Sequence, residues 1–266
     1  MATPPSGILM KYWRETWAVA QRILIELGRR RRSLIFWSVF PVLVLLLNGT
    51  ILAERANLET AEAFQQAAPA TLVGAALFFS CLGGSVATVV AEREQQTLKR
   101  LFISPLSGVS YFLGIVVAHC AIGIGQTLLV WAIATFLGAE FEGAIALAAL
   151  IIVLSILAYV GVGFILGTQF ARRTEDVNAL VAAFGVPLLI LGGAFLPTSL
   201  FPDNLLRLAE LNPIYHMNES LSGVMANGEG LADITHHFWF LAGFAVLVII
   251  GGWLSYYRML QVERRL

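Results

Sequence analysis

The side chains best suited to hold a metal ion lie in the last quarter of the sequence. His216, Asp233, His236 and His237 are residue types that bind zinc and related ions. Neighbouring residues of a helix point in different directions, so His236 and His237 are not expected to face one ion. We therefore interpret these residues as polar groups at an interface and predict no metal site in this chain.

The candidate nucleophiles are two serines and two cysteines within apolar runs. Ser80 and Ser85 lie beside two glycines, but the G-x-S-x-G turn that exposes a catalytic serine in many hydrolases does not occur. Cys81 and Cys120 lack the spacing of a metal or redox pair, which is typical of small packing residues. The sequence predicts no catalytic residue, and the small residues around Ser80 and Ser85 favour close packing of helices.

A phosphate-binding loop of the form G-x-x-x-x-G-K-[ST] does not occur in the sequence either. Lys11 and Lys99 are the only lysines, and neither of them follows a glycine. We therefore predict that this chain is not an enzyme, holds no cofactor and does not bind ATP through its own residues.

The composition around these side chains is that of a membrane protein. Of the 266 residues, 58% are hydrophobic and 13% are charged, and the mean hydropathy is +0.78. Soluble domains carry about a quarter charged residues, and a helix needs roughly 20 apolar residues to cross a bilayer. We predict an all-α membrane protein, a single transmembrane domain over 1–266, with six spans at 33–52, 69–90, 111–137, 144–170, 177–196 and 238–257.

Polar and small residues within these spans suggest how the helices pack. A polar side chain inside a span is a candidate for function, and His119 lies in the third span. A hydrogen bond between helices, to Gln126 or another partner, is the interpretation we favour, and a transport role for His119 stays open. Gly163 and Gly167 form a G-x-x-x-G motif in the fourth span, which predicts a close helix–helix contact.

The basic residues predict the orientation of the chain in the membrane. All of the 17 Lys and Arg residues except Arg55 and Arg207 fall on one side of the six predicted spans. Because basic residues concentrate in cytoplasmic loops, both termini are expected to be cytoplasmic. We expect a multi-pass protein of a cell membrane, either a bacterial inner membrane or a plasma membrane.

The N-terminal residues 8–32 predict an amphipathic helix at the cytoplasmic surface of the membrane. Trp13 and Trp17 would enter the lipid, and the arginines at 29–32 would lie among anionic headgroups. Membrane lipids are therefore expected partners. Anchoring of the chain is enough to explain this pattern, and recognition of a specific lipid is the alternative.

The segment 91–110 predicts a short amphipathic helix in the cytoplasmic loop between the second and third spans. Its acidic residues come first and its basic residues last, which complements the helix macrodipole. Leu98, Leu101 and Phe102 fall at i, i+3 and i+4 and make one apolar face, and Pro105 ends the helix. This face would bind a partner protein or pack on the ends of the chain's own spans.

The same segment resembles a signature of type-2 ABC exporter permeases, E-R-E-x-G-T-L-x-x-L followed by P-L. Gln96 replaces the usual glycine, and a helix tolerates glutamine better than glycine. Weaker resemblances follow in the family's order at the entry to the first span (31–41), in the fifth span (187–197) and at an outer Asn-Pro turn (212–216). The residues that match the signature are Glu92, Arg93, Glu94, Thr97, Leu98, Leu101, Pro105 and Leu106.

The resemblance implies a permease subunit that forms the substrate pathway as a dimer and is driven by a separate ABC ATPase subunit. ATP and Mg²⁺ would bind to that partner, and no nucleic acid would be involved. The helix of 91–110 would be the coupling helix that docks on the ATPase. The residues expected to transmit movement are Glu92, Arg93, Glu94, Thr97, Leu98, Leu101 and Pro105.

Residues 198–237 form the longest connection between spans, on the outer side. Apolar residues at helical spacing, such as Met217 and Leu221, predict two short helices, and the resembled family has a re-entrant element at this place. These helices would gate substrate exit, with Pro197, Asn212 and Pro213 as gate candidates, or would form a passive lid.

A different class of transporter is the alternative. An ion-coupled secondary transporter or a channel would need no ATPase, but such proteins place ionisable residues in mid-membrane and often contain internal repeats. Neither feature is evident in this sequence. The uncharged spans favour a lipid-like or amphiphilic cargo over a small ion, without identifying the cargo.

Overall fold

The computed structural model describes residues 5–29, 31–95 and 106–263, and within these ranges the chain is helical and contains no strand. A 3₁₀ turn at Thr198–Leu200 is the shortest element. In chain order the helices are α1 (Pro5–Arg29), α2 (Arg31–Arg55), α3 (Thr60–Glu94), α4 (Gly108–Phe136), α5 (Ile145–Phe170), α6 (Thr174–Leu191), α7 (Asp203–Ala209), α8 (Pro213–Asn227) and α9 (Thr235–Glu263).

Six of the described helices, α2 to α6 and α9, are long and apolar enough to cross a membrane. Each of them overlaps one of the six predicted spans, which confirms an all-α membrane protein. The chain alternates between two ends of this bundle. We call them the Glu92 end, where α3 ends and α4 begins, and the Glu142 end, where α4 ends and α5 begins.

The helix that contains the second predicted span, 69–90, is longer than that span, because α3 already begins at Thr60 and runs through Pro69. Proline lacks a backbone N–H and normally interrupts a helix. Here a π-helical stretch, Leu72–Gly83, follows Pro69, and wider turns of this kind can satisfy the carbonyl that a proline leaves without its donor. In its most apolar window 78% of the residues are buried, so α3 is the central helix of the bundle.

Small residues allow α5 to lie against α3, as the G-x-x-x-G motif predicts. A Cβ at Gly163 would lie 1.9 Å from Ser85 Oγ, and a Cβ at Gly167 would lie 3.0 Å from Val89 Cβ. The hydroxyls of Ser80 and Ser85 donate to carbonyls of their own helix, those of Ala76 and Leu82. The prediction that this region serves helix packing is confirmed in the described residues.

The fifth predicted span, 177–196, extends too far, because α6 ends at Leu191 in a glycine turn. Gly193 has a φ of +78°, a conformation that favours glycine. Gly192 also lacks room for a side chain, since a Cβ there would lie 2.6 Å from Ile214 Cγ2. The turn therefore brings the start of α8 directly against the end of α6.

The segment 198–237 contains the two short helices that its pattern predicts, α7 and α8. The apolar repeat of α8 packs against α3, α5, α6 and α9 at the Glu142 end. The Gly228 C-cap of α8 has a φ of +69°, which ends the helix in the left-handed conformation. All four residues of the repeat are buried: Ile214, Met217, Leu221 and Val224.

Candidate functional site

Glu92 joins the central helix α3 to the N-terminal helix α1. Its carboxylate accepts two hydrogen bonds from the guanidinium of Arg22, and its side chain is only 7% exposed. Burial alone would lower the pKa of Arg22, but the facing Glu92 carboxylate outweighs burial and raises that pKa. A bidentate pair of this kind fixes both position and orientation of the two side chains.

Arg93, the next residue, joins α3 to the end of α5. Its Nη1 donates to the carbonyl oxygens of Gly167, at 3.2 Å, and Ala171, at 3.1 Å. The last carbonyls of a helix lack partners within the helix and carry partial negative charge. Arg93 therefore satisfies and holds the C-terminal turn of α5.

Glu94 joins α3 to the start of α6. Its two carboxylate oxygens accept from the backbone N–H of Thr174, at 3.0 Å, and from the Thr174 hydroxyl, at 2.7 Å. Asp176 accepts from the two backbone N–H groups that precede Thr174. A carboxylate at the N-terminus of a helix is favourable because it meets free N–H groups.

A second contact ties α1 to the start of α4. Glu15 Oε2 accepts from the Ser110 hydroxyl, at 2.7 Å, and from the Ser107 backbone N–H, at 3.3 Å. Burial would raise the pKa of Glu15, but these hydrogen bonds outweigh it and lower the pKa. Glu15 and Arg22 are seven residues apart, so they lie on one face of α1.

The polar junction formed by Glu15, Arg22, Glu92, Arg93 and Glu94 therefore connects α1, α3, α4, α5 and α6 at one end of the bundle. The junction contains residues on both sides of the segment 96–105. Helix α1 is hydrogen-bonded to Glu92, which precedes this segment, and to Ser107 and Ser110, which follow it. Thr97, Leu98, Leu101 and Pro105, the other predicted coupling residues, lie outside the described residues.

Sequence reasoning singled out Glu92, Arg93 and Glu94 but missed their partners. Arg22 is 70 positions from Glu92, and Thr174 is 80 positions from Glu94. The spacing of Glu15 and Arg22 on one face of α1 was a usable signal, since an acidic and a basic residue there need partners if α1 packs on the bundle.

The predicted outer gate residues lie together at the Glu142 end. Asn212 is buried, donates from Nδ2 to the Leu188 carbonyl at 2.7 Å, and accepts at Oδ1 from the Ile214 N–H. Pro213 occupies the first turn of α8, a position where proline is favoured. Pro197 is exposed and precedes the 3₁₀ turn. Asn212 therefore fixes the start of α8 to the end of α6, and the role of the three residues as a gate stays a prediction.

The histidines make contacts that the sequence did not specify. His119 Nδ1 lies 2.9 Å from the carbonyl of Ile115 in its own helix, and Gln126 Oε1 is buried without a partner among the described residues. Gln126 is therefore not the partner of His119, because both lie on α4 and Nδ1 meets the Ile115 carbonyl instead. The predicted alternative, a partner on another helix, fits the contact of the His119 ring with the Gly84 backbone of α3. His216 is hydrogen-bonded to His237, which joins α8 to α9.

The charged groups of the polar junction hold the ends of the described helices together at the Glu92 end. A family model described as the ABC-2 type transporter matches residues 14–226 of the chain. This match includes the polar junction, all of α2 to α7 and most of α8. The chain belongs to the ABC-2 type transporter family. It is thus a multi-pass membrane component of an ABC transporter.

Two curated proteins from Escherichia coli K12 are similar to parts of this chain. The "Probable multidrug ABC transporter permease YbhR" is 28% identical over 153 residues, which is 57% of this chain and 41% of that protein. The "Inner membrane transport permease YhhJ" is 26% identical over 170 residues, 62% of this chain and 42% of that protein. The matched region thus spans about two-fifths of each relative's length.

Proposed function

We propose that the chain is the permease subunit of an ATP-driven ABC exporter, in which two copies form the substrate pathway and each engages a separate ATPase subunit. ATP and Mg²⁺ would bind to that ATPase. The polar junction is the observation that carries this proposal, because it connects α3 and α4, on the two sides of 96–105, to three other helices, α1, α5 and α6.

The junction would pass movement of the segment 96–105 to the spans in three ways. A shift at Glu92 pulls on α1 through Arg22, a shift at Arg93 pulls on the end of α5, and a shift at Glu94 pulls on the start of α6. Each connection includes an ionised group, and charge-assisted hydrogen bonds are about twice as strong as neutral ones. The spans would therefore follow the coupling segment as a unit.

The exposed face of α6 supports pairing with a second copy of the chain. Only 17% of the residues in its most apolar window are buried. The exposed positions in its first half include Asn178, Ala179 and Ala183, whereas Phe184, Leu188 and Ile190 are exposed further along the helix. Small residues four apart and polar amides favour packing between helices in a membrane, because they allow close backbone approach and hydrogen bonding. We infer that α6 lines the contact between copies.

The exposed face of α9 has the opposite character and suits contact with lipid. Trp239, Val246, Leu247, Ile250 and Leu254 are all more than half exposed. Bulky apolar side chains of this kind are as soluble in acyl chains as in a protein interior. The contrast between α9 and the first half of α6 therefore supports a dimer contact around Asn178, Ala179 and Ala183.

The proposed orientation puts the Glu92 end in the cytoplasm of a bacterial inner membrane or a plasma membrane, following the asymmetry of basic residues. Trp13 and Trp17 are 63% and 54% exposed on α1, which supports placing that face of α1 in the lipid interface. Export is proposed from the resemblance of Glu92-Arg93-Glu94 and its surroundings to exporter permeases. The cargo we propose is lipid-like or amphiphilic.

The proposal is tested by purifying the tagged chain from its native host. A subunit with a phosphate-binding loop should co-purify in equal amount, and the complex in vesicles should hydrolyse ATP. Leu98→Asp and Leu101→Asp should each lower both the yield of that subunit and ATP hydrolysis at least tenfold. Leu231→Asp, an exposed leucine at the opposite end of the bundle, is the matched control and should leave both unchanged.

Two results would contradict the proposal. The first is unchanged association and ATP hydrolysis in the Leu98→Asp and Leu101→Asp variants. The second is accumulation of a cargo against its gradient by the purified chain alone, reconstituted in vesicles without an ATPase subunit. The second result would favour the ion-coupled class of transporter.

A further inference from the structure

An apolar groove of about 430 Å³ lies between α4 and α5 at the Glu142 end. Ile124, Leu128 and Trp131 line it from α4 and are each close to half exposed, so the groove is open along this side. Val224 and Met225, in the last turn of α8, also line the groove. Its volume is within the range of sites that bind small organic molecules.

A second, polar compartment of about 490 Å³ adjoins the groove. Glu59 and Glu62 line it from the start of α3, and Glu140 and Glu142 line it from the connection between α4 and α5. Among the residues that the structure describes, no Lys or Arg lines either compartment. The carboxylates therefore make a negative rim above an apolar groove.

The two compartments share one wall, in which consecutive residues face opposite sides. Along the extended connection, Glu140 and Glu142 line the polar compartment while Phe141 and Gly143 line the apolar groove. Gly143 holds this wall against α8, since a Cβ there would lie 2.0 Å from the carbonyl oxygen of Val224. The alternation separates charge from apolar surface within a few ångströms.

We propose that this groove binds an amphiphilic cation. Its apolar body would lie along α4 and α5, and its cationic group would extend over the wall toward Glu140 and Glu142. Burial of the apolar body supplies affinity in proportion to the area removed from water. Opposite charge at the rim selects cations over neutral and anionic amphiphiles. This site is separate from the polar junction and does not depend on the proposed coupling to an ATPase.

The test uses the full chain in phosphatidylcholine nanodiscs and two photoreactive probes with the same dodecyl chain, which carries a diazirine. One probe ends in a trimethylammonium group and the other in a hydroxyl group. The ammonium probe should label the α4 and α5 residues that line the groove, as mapped by mass spectrometry. It should do so at a concentration at least tenfold below that of the hydroxyl probe, after correction for partitioning into protein-free nanodiscs.

Two pairs of variants distinguish the contribution of the rim carboxylates to binding from the contribution of the apolar groove. Glu140→Gln with Glu142→Gln should weaken labelling by the ammonium probe about fivefold for each carboxylate and leave the hydroxyl probe unchanged. Glu54→Gln, on an exposed residue that lines neither compartment, is the control. Ala149→Phe fills the groove and should abolish labelling by both probes, whereas Ala146→Phe, exposed on the same helix outside the groove, should not.

Equal labelling by the two probes would overturn the proposal, since the groove would then be a surface for ordinary acyl chains. Absence of labelling in the unsubstituted chain would overturn it as well, because phosphatidylcholine would then outcompete the cation. Each variant is compared by its elution volume and melting temperature, so that a folding defect is recognised. Glu140→Gln and Glu142→Gln change exposed or rim positions and are expected to fold normally.

Discussion

Glu92 carries a largely buried carboxylate whose charge is balanced by Arg22 from another helix. Removing one partner of a buried ion pair costs about 3–5 kcal/mol. The side chain of Arg22 is 40% exposed, so water screens the pair and the cost is expected at about 1–3 kcal/mol. Arg22→Met should therefore lower the free energy of unfolding by about this amount, measured by denaturant unfolding in detergent.

A double-mutant cycle tests whether this loss belongs to the pair. Glu92→Gln together with Arg22→Met should be more stable than Arg22→Met alone, because the carboxylate that loses its cation is gone. Arg14→Met, on an exposed arginine of the same helix, should change stability little. Additive effects of the two substitutions would mean that Arg22 and Glu92 do not stabilise each other.

His216 is expected to make stability depend on pH. Its Nε2 donates to the Glu210 carbonyl at 2.8 Å, so in the neutral ring Nδ1 accepts from His237 at 3.0 Å. Burial lowers the pKa of His216 below its usual 6.5, the Glu210 carbonyl opposes this, and His236 adds to it. Below pH 6.5 the folded chain therefore binds fewer protons than the unfolded chain. The contribution of His216 to the free energy of unfolding is complete above this pH and decreases as the pH drops.

The measurement is the melting temperature between pH 7.5 and pH 5. The unsubstituted chain should lose stability below pH 6.5, and His216→Gln should lose less, because the titrating ring is absent. His236→Gln is the comparison variant: it removes a neighbouring charge that adds to the shift of His216, so it should reduce the loss of stability by less than His216→Gln does. Identical slopes for the unsubstituted chain and His216→Gln would show that other groups carry the pH dependence.

At the scale of residues, sequence patterns identified one side of each important contact and missed the other. The acidic and basic residues of 92–94 stood out because they begin a polar segment after a long apolar span. Their partners Arg22 and Thr174 did not, since a contact over 70 or 80 positions depends on how whole helices pack. A single sequence contains hydrophobic periodicity but no direct signal for such distances.

At the scale of elements, the contact between α3 and α5 depends on the absence of a side chain at Gly163. Gly163→Ala would place a Cβ 1.9 Å from Ser85 Oγ, and overpacking of a close contact costs about 1–3 kcal/mol. We expect a corresponding loss in the free energy of unfolding. Gly125→Ala is the control, because nothing lies within 4 Å of a Cβ at that position of α4.

Removal of the Ser85 hydroxyl should relieve part of this clash. With Ser85→Ala, the closest remaining atom to the new Cβ is the Leu82 carbonyl oxygen, at 3.0 Å. The variant with both substitutions should therefore recover part of the stability that Gly163→Ala loses. If Gly163→Ala is as stable as Gly125→Ala, the two helices do not approach each other as closely as described.

The lengths of the apolar runs predicted where the spans lie along the sequence. They did not predict where the helices begin and end. Pro69 was a reasonable start for the second span, because proline usually ends a helix, but the π-helical turns after it let α3 continue. Gly192 and Gly193 were included in the fifth span as apolar residues, although their close contact with Ile214 and Asn218 makes them a turn. Local packing decided both ends, and hydropathy does not report packing.

At the scale of the whole molecule, the number of spans and the two helices of 198–237 were predictable, but the arrangement of copies was not. The least buried spans, α2 and α6, have the same buried share of 17%. Their exposed residues differ in the first half of α6, which presents Asn178, Ala179 and Ala183, whereas α2 presents Ile35, Leu43 and Leu47. The second half of α6 resembles α2, since it exposes Phe184, Leu188 and Ile190. Side-chain size therefore distinguishes a surface for lipid from a surface for another helix.

Cross-linking in native membranes tests the contact between copies at α6. In a background with Cys81→Ala and Cys120→Ala, Ala179→Cys and Ala183→Cys are introduced one at a time. Residues near a two-fold axis face their own copies in the partner, so at least one of these variants should form a cross-linked dimer with a short bifunctional thiol reagent. The product is a band of twice the chain's mass on a denaturing gel.

Leu247→Cys on α9 is the control for random encounters, because this position is 66% exposed on a bulky apolar face. It should react with a single thiol reagent in the membrane and remain monomeric with the bifunctional one. A dimer from Leu247→Cys with none from either α6 position would mean that α6 faces lipid and α9 the second copy. Such a result would reverse the assignment, because small residues and an amide would then be left in contact with acyl chains.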